Sequence, residues 1–447
     1  MNMPLTKFTD LLSARTLLII APIFLLTHKH WINLMVVLAF LGAITHLIRN
    51  RHTAQAFGES ILSWRRWLCW SLAGSFAAIG IGQLLRQDFY APNFDSPLRM
   101  LLCVPVFMAI SQGWVYAHDQ KSVTQTWTTL SFPLTLIWTA LDRGSHTTAW
   151  GDSVITTHFV DPLSFGSLTL LLSLLSFAGL TFYWQQLRAA SRLITVLGIF
   201  CGFYLAIMSG SRTGWANMPV FFLIWTLFFG SKKWSLKKSL LLCISTTLLV
   251  AIAVYANPYI LKKINLIFSE ISNYHWSEMN KDGSVTLRIS FYRMAVHYIL
   301  ANPIVGWGDL GWMARMNDPE LLVYASEFAR DFPRNGFHNE ILTNTVRSGI
   351  WGLLSSLAFF LLPMQWAIRQ IRSQTKDAPR HQALFILFFM LHLLIAGMTT
   401  EVTNLIFLGS FIGITMAVLL GESLYIAEEA PSSPLKTSGA KVVSRLD

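Results

Sequence analysis

Runs of about 16 to 24 consecutive apolar residues recur along this chain, and a helix needs roughly 20 such residues to cross the hydrocarbon core of a bilayer. That feature limits the fold more than any other, because backbone inside lipid must satisfy its own hydrogen bonds and a single run can do so only as a helix. About twelve runs qualify as spans. They are Leu11–Leu26, Trp31–Ile48, Trp67–Leu85, Leu98–Ala117, Val123–Leu141, Leu163–Tyr183, Leu193–Met208, Gly214–Gly230, Ser239–Ala256, Arg347–Trp366, Ala383–Met398 and Val402–Leu424. The expected fold class is therefore all-α, a polytopic membrane protein. Composition agrees: of 447 residues 53% are hydrophobic and only 13% charged, and the mean hydropathy is +0.49, more apolar surface than a soluble enzyme of this size can hide.

The excess of 34 Lys and Arg over 23 Asp and Glu could suggest nucleic acid, but its distribution points elsewhere. Arg49, Arg51, Arg65 and Arg66 share one loop, Arg188 and Arg192 a second, Lys232, Lys233, Lys237 and Lys238 a third, and Arg369, Arg372, Lys376 and Arg380 a fourth. These loops alternate along the chain, so the positive-inside rule makes them cytoplasmic, places both termini inside and sends the other loops to the opposite face. The charge is a topology signal, and no nucleic-acid partner is expected. Lys7 and Arg15 begin the first run as in a signal peptide, yet no small-x-small cleavage site follows and another run comes at once, so the run is expected to stay as a helix.

Cys69, Cys103, Cys201 and Cys243 fall inside apolar runs without CxxC or Cys/His spacing, so neither a disulfide framework nor a zinc site is expected. The last stretch, within residues 426–447 and ending PSSPLKTSGAKVVSRLD, has no core-forming residues and reads as a disordered cytoplasmic tail. The remaining organisation is residues 1–256 with nine spans, a large loop at 257–346, and residues 347–425 with three more spans.

That loop of roughly 90 residues far exceeds ordinary connection lengths, and loops so long are functional or disordered. Its Tyr259, Phe268, Tyr274, Trp276, Phe291, Tyr292, Trp307 and Trp312 supply enough aromatic surface to pack a small domain or lie at the membrane interface. Within GSVTLRISFYRMAVHYILANPIVGWGDLG, the residues Leu287, Phe291, Met294, Ala295 and Tyr298 repeat at helical spacing. Asn302-Pro303 then ends the helix before Gly306, Gly308 and Gly311. Arg288 and Arg293 lie about 140° apart on a straight helix and cannot both face one ligand. Arg288, beside the packed stripe, is the candidate at a crevice rim; the other reading is an arginine snorkelling to headgroups.

In MSGSRTGW, residues 208–215, Arg212 occupies a tight turn between two spans. Free backbone N–H groups beside an arginine make an anion site of the kind that holds phosphate, although small residues also serve simply to permit a tight hairpin. In RNGFHNEILTNTVRSGIWGLL, Asn335-Gly336 forms a turn and His338 is expected in the first turn of the tenth span's helix. The helix dipole there disfavours its protonation and keeps it as a neutral base; the alternative is a helix-start residue without chemistry. Arg86 and Asp88 follow the third run on the outer side and could reach a ligand, while Glu401 lies in a short outer turn; each reads first as an interfacial anchor. His392, inside the eleventh run, reads as a neutral hydrogen-bonding residue between helices.

SGSRTGW, then LRISFYRMAVHYILANPIVGWG, then FHNEILTNTVRSGIWGLL, in that order around a large loop between late spans, resembles the bacterial O-antigen ligase and polymerase family. Arg212 matches the family's Ser-Arg turn and Arg288 its second arginine, with Tyr292 in the usual tryptophan place. Asn302-Pro303 with Gly306-Trp307-Gly308 matches the turn, and His338-Asn339 with Gly349 and Gly352 the last motif. These motifs together cover about a tenth of the chain. Arg347 stands where relatives carry an acidic residue, which alters the expected charge pairing near His338.

The resemblance implies a GT-C-like glycosyltransferase of the bacterial inner membrane, working on the periplasmic face. Its donor would be O-antigen polysaccharide on undecaprenyl diphosphate, and its acceptor a hydroxyl of lipid A–core. His338 would be the general base, and Arg288 and Arg212 would bind the diphosphate, with Arg86, Arg293, Asn339 and Glu401 as secondary candidates. No Asp-x-Asp occurs in the sequence, so no metal or other cofactor is expected. A polymerase would use the same donor with a lipid-linked glycan as acceptor. A transporter of lipid-linked sugars should instead gather its polar groups at mid-bilayer.

Overall fold

The computed structural model describes residues 14–51, 58–116, 121–142, 155–211, 217–227, 258–331, 336–374, 376–404 and 406–429, together with positions 237, 241, 244, 245 and 248. Arg212, Cys243, Arg334, Asn335, most of the ninth expected span and the tail from 430 lie outside these residues.

Helix dominates, and no strand occurs among the described residues. The helices are α1 (Ala14–Ile20), α2 (Trp31–Arg49), α3 (Glu59–Arg86), α4 (Asp95–Ser111), α5 (Val123–Thr126), α6 (Phe132–Asp142), α7 (Pro162–Tyr183), α8 (Ala189–Met208) and α9 (Asn217–Trp225). In the large loop come α10 (Pro258–Ser272), α11 (Ser284–Ala301), α12 (Gly308–Met313), α13 (Pro319–Leu322) and α14 (Glu327–Asp331). The chain then continues through α15 (Glu340–Ser373), α16 (Asp377–Gly397) and α17 (Ile406–Glu429).

Among the described residues eight helices are long and apolar enough to cross a membrane, and each coincides with one of the expected runs. The other four runs differ for separate reasons. The first is helical only to Ile20 before the chain turns, and the fifth passes through a π turn at Trp127–Ser131 between α5 and α6. The eighth is described only over residues 217–227, of which Asn217–Trp225 form α9, and most of the ninth lies outside the described residues.

Two cores organise the described chain. The larger is built from the spans, with α4 against α17, α3 against α15 and α7 against α8. The smaller belongs to the loop: Phe291, Met294, Ala295 and Tyr298 present one face of α11 to Trp312, Phe337 and Val346, all buried. That face follows from the helical spacing of its apolar residues. Trp276 and Phe268, by contrast, remain exposed.

The loop core is stitched to the bilayer helices at a break in α15. Ser348 has φ −130° and Gly349 φ +60° with ψ −141°, conformations outside the helix. The carbonyl of Val346 accepts from Trp307 N–H at 2.8 Å, and that of Arg347 accepts from Arg86 Nη1 at 2.9 Å. Side chains are excluded where the two segments cross: a Cβ on Gly349 would stand 2.3 Å from the Ile304 oxygen, and one on Gly306 2.5 Å from the Gly349 nitrogen. Both glycines also have positive φ, which L side chains rarely adopt. The helix leading into the tenth span begins at Glu340, two residues after His338, where its first turn is expected, and breaks at Ser348–Gly349, next to the expected start of the span at Arg347.

Candidate active site around His338

Asn339 is the N-cap of α15, its side-chain oxygen accepting from Ile341 and Leu342 N–H, each at 3.1 Å. His338 therefore precedes the cap and does not lie in the first helical turn. It adopts left-handed φ +53°, one of two described non-glycine residues with positive φ. The turn is held on both sides: Phe337 N–H donates to Thr343 Oγ1 at 2.9 Å, and the His338 N–H donates to the carboxylate of Glu401. The imidazole stacks on Phe291 with ring centroids 5.4 Å apart and 19° between planes, and the Thr399 carbonyl accepts a hydrogen bond from it.

Burial lowers the His338 pKa first, and the Arg288 guanidinium lowers it further, against smaller opposing effects of Asp161 and Thr399. The imidazole is neutral at pH 7 for these reasons, so the helix dipole invoked from sequence gives way to desolvation and a neighbouring cation. A ring N–H committed to a carbonyl leaves the other ring nitrogen as the basic one.

Arg288 rises from α11 half-buried, its Nη1 donating to Ser284 O at 3.0 Å and Ser284 Oγ at 2.9 Å. Tyr292, one residue past Phe291, donates its hydroxyl to the Met398 carbonyl and approaches that of His338 at 3.5 Å. Arg293 points away into an aromatic cluster, 3.7 Å from the Tyr324 ring centroid and 5.1 Å from that of Trp276. The two arginines thus diverge as their spacing requires.

Arg86 and Glu401 are not interfacial anchors. Arg86 pairs with Asp88 at 2.9 Å and braces the carbonyls of Val305 and Arg347. Glu401 is 6% exposed, accepts from Thr343 Oγ1 at 2.9 Å, and has its pKa pushed up to about 7, chiefly by burial and then by Glu340. His392 bonds Ser167 Oγ through Nε2 at 2.9 Å, bridging α16 and α7. Near the unplaced Arg212, Ser211 N–H donates to Ser209 Oγ at 3.2 Å, which removes one of the free N–H groups expected in that turn.

Three participants carry no plain sequence signal. Glu340 accepts from Val402 N–H at 2.7 Å, from Thr403 N–H at 3.1 Å, from Thr403 Oγ1 and from Asn344 Nδ2, binding the start of α15 to the turn before α17. Asp161 caps α7 through Ser164 N–H at 2.9 Å while acting electrostatically on His338; its Asp-Pro dipeptide marks a helix start and nothing more. Asp309 forms a buried ion pair with Arg347 at 2.8 Å, the counter-charge that the unusual residue at 347 requires. No group of three or more His, Cys, Asp or Glu arranged to hold a metal occurs among the described residues.

Residues 197–357 match the family described as O-antigen ligase. The chain is also similar to an uncharacterized protein of Haemophilus influenzae (strain Rd), 22% identical over 233 residues, a match spanning 52% of this chain and 57% of that protein. The first match covers the loop, both arginines at 212 and 288, His338 and the broken start of α15, while Asp161 and Glu401 fall outside it. With these elements inside one matched segment, residues 197–357 are similar to the O-antigen ligase family, a likeness that covers about a third of the chain.

Proposed function

We propose that this protein is a metal-independent, inverting glycosyltransferase that joins O-antigen polysaccharide from undecaprenyl diphosphate to lipid A–core at the periplasmic face of the inner membrane. The single observation that carries the reading is the placement of the buried His338 imidazole against Phe291 of α11, the helix that also bears Arg288, within a turn that Glu401 and Thr399 hold. In this mechanism His338 accepts the proton of the attacking hydroxyl. The acceptor oxygen bonds to the anomeric carbon as the bond from that carbon to the diphosphate oxygen breaks. Negative charge grows on the leaving diphosphate, where Arg288 and Arg212 bind it. One displacement inverts the configuration.

Glu401 and Asn339 position His338 rather than touch substrate. An apolar recess of about 500 Å³ between α3 and α15, with Trp67 and Trp70 at one end and Ile81 and Trp351 towards Arg86, supports a substrate carried on a lipid tail. The test mixes purified protein with lipid-linked O-antigen and lipid A–core and looks for the joined product. Its absence with substrates of proven activity rejects the ligase reading, and elongated lipid-linked glycan replaces it with a polymerase.

A further inference from the structure

α11 is apolar on two roughly opposite faces. Phe291, Met294, Ala295 and Tyr298 turn into the loop core, while Ile289, Val296 and Leu300 line an open groove of about 730 Å³ that Trp276 and Val323 share. Leu300 is 76% exposed and Trp276 65%. A helix that is hydrophobic all round is normally buried all round, so the outer face of α11 lacks its cover among the described residues. The polar side chains of the groove already answer one another: His297 Nδ1 meets Glu320 at 3.1 Å, and the Arg293 guanidinium lies 3.7 Å from the Tyr324 ring centroid.

α10 repeats the pattern. In PYILKKINLIFSEIS, apolar residues recur at positions 260, 264, 267, 268 and 271, the spacing of one helical face. Glu270 fixes how this helix is rolled. Its carboxylate accepts from Val285 N–H at 2.6 Å, at the start of α11, and packs so closely that a Cβ on Gly283 would stand 2.7 Å from the carboxyl carbon. At about 100° per residue, Ile267 lies about 60° from Glu270 and is half-buried, whereas Ile271 lies about 100° and Phe268 about 160° away, and both are exposed. The carboxylate anchor thus turns the apolar face away from the protein.

Both ends of this surface adjoin a span. α10 starts at Pro258, two residues after the ninth expected span ends at Ala256. Ile304, exposed just beyond α11, crosses α15 at Gly349, where that helix resumes and leaves Ile350, Trp351 and Leu354 exposed. Trp276, between the two ends in sequence, is of the residue type that favours the membrane–water boundary.

We propose that the side of the loop carrying Phe268, Ile271, Trp276, Val296, Leu300 and Ile304 docks on the lipid leaflet on its own side of the membrane, with these side chains at the boundary between headgroups and acyl chains. The loop then lies on the lipid instead of standing in water. A second copy of the chain would have to displace lipid that the flanking spans already bring to this surface. Tyr292 lines the same groove and donates its hydroxyl to the Met398 carbonyl, so the turn bearing His338 is held close to the headgroups. The assignment does not depend on the reaction proposed above.

The test uses the full chain in lipid nanodiscs, with its four native cysteines replaced by alanine and one nitroxide attached at a time to Phe268→Cys, Ile271→Cys, Leu300→Cys or, on the polar face of α10, Ser269→Cys. All four positions are exposed, so the label disturbs no packed side chain. Power-saturation EPR compares collisions with oxygen, which concentrates among acyl chains, against collisions with a water-soluble nickel chelate. The oxygen-to-nickel ratio is expected to be about threefold or more higher at the three apolar positions than at Ser269→Cys. Equal ratios at all four positions put this face in water and overturn the assignment. Low collision rates with both reagents at the apolar positions mean that protein covers the face, a second copy where dipolar broadening between labels accompanies them, and overturn it as well.

Discussion

Replacing Arg347 with alanine is expected to destabilise the junction between loop and spans by about 3–5 kcal/mol, the range for breaking one half of a buried ion pair. The structure supplies the reasons. Arg347 and Asp309 side chains are each 9% exposed and meet at 2.8 Å. Arg347 also donates to Asn404 Oδ1 at 2.5 Å and lies 3.5 Å from Asn344 Oδ1. Removing the guanidinium leaves the Asp309 carboxylate in place with water excluded and no cation beside it. Arg347→Lys keeps the charge but loses the planar fork, so about 1–2 kcal/mol is expected. The double change Arg347→Met/Asp309→Leu removes both charges and should cost far less than Arg347→Ala, because no buried ion is left uncompensated. Unfolding titrations in mixed micelles of the parent, Arg347→Met, Asp309→Leu and the double variant give the coupling energy directly, and a value above about 2 kcal/mol is expected. Coupling below about 0.5 kcal/mol, or an Arg347→Ala protein as stable as the parent, would refute the reasoning and make the pair an incidental contact.

His338→Ala should lower turnover by about 10²–10⁴-fold with diphosphate binding nearly intact, whereas Arg288→Ala should weaken both and Arg288→Lys should rescue neither fully; normal turnover with collapsed donor binding would make the histidine a diphosphate ligand. Because burial and Arg288 lower the His338 pKa, the acid limb of kcat/KM should fall below pH 6.5. Arg288→Gln removes a cation that opposes protonation and should move that limb upwards, so a limb that stays in place in the residual activity counts against the coupling. Excess EDTA should leave the rate nearly unchanged, and strict dependence on added Mg²⁺ or Mn²⁺ would contradict diphosphate stabilisation by arginines.

The parts of this structure that sequence made legible are the parts with a local period. Eight spans and the buried face of α11 follow from apolar spacing, and the divergence of Arg288 from Arg293 follows from helical geometry. The break at Ser348–Gly349 has no plain signal in the local sequence, because its cause is the close approach of Ile304 and Gly306, over 40 residues upstream. Likewise nothing beside His338 in sequence announces Glu401, Thr399 or Asp161, which reach it from other loops. Glu401 was misread as an anchor because a lone acidic residue in a Thr-Thr-Glu turn looks solvated until its partner Thr343 is known.

The left-handed backbone at His338 sets the interests of thermal robustness against those of turnover. A histidine at φ +53° holds a conformation that costs an L side chain about 1 kcal/mol, whereas asparagine visits it readily. A library screened only for heat resistance should therefore enrich His338→Asn, giving a protein that melts later and, on the reading proposed above, turns over about 10²–10⁴-fold more slowly. Any attempt to harden this protein for use outside the cell has to fix position 338 before the first round of mutagenesis.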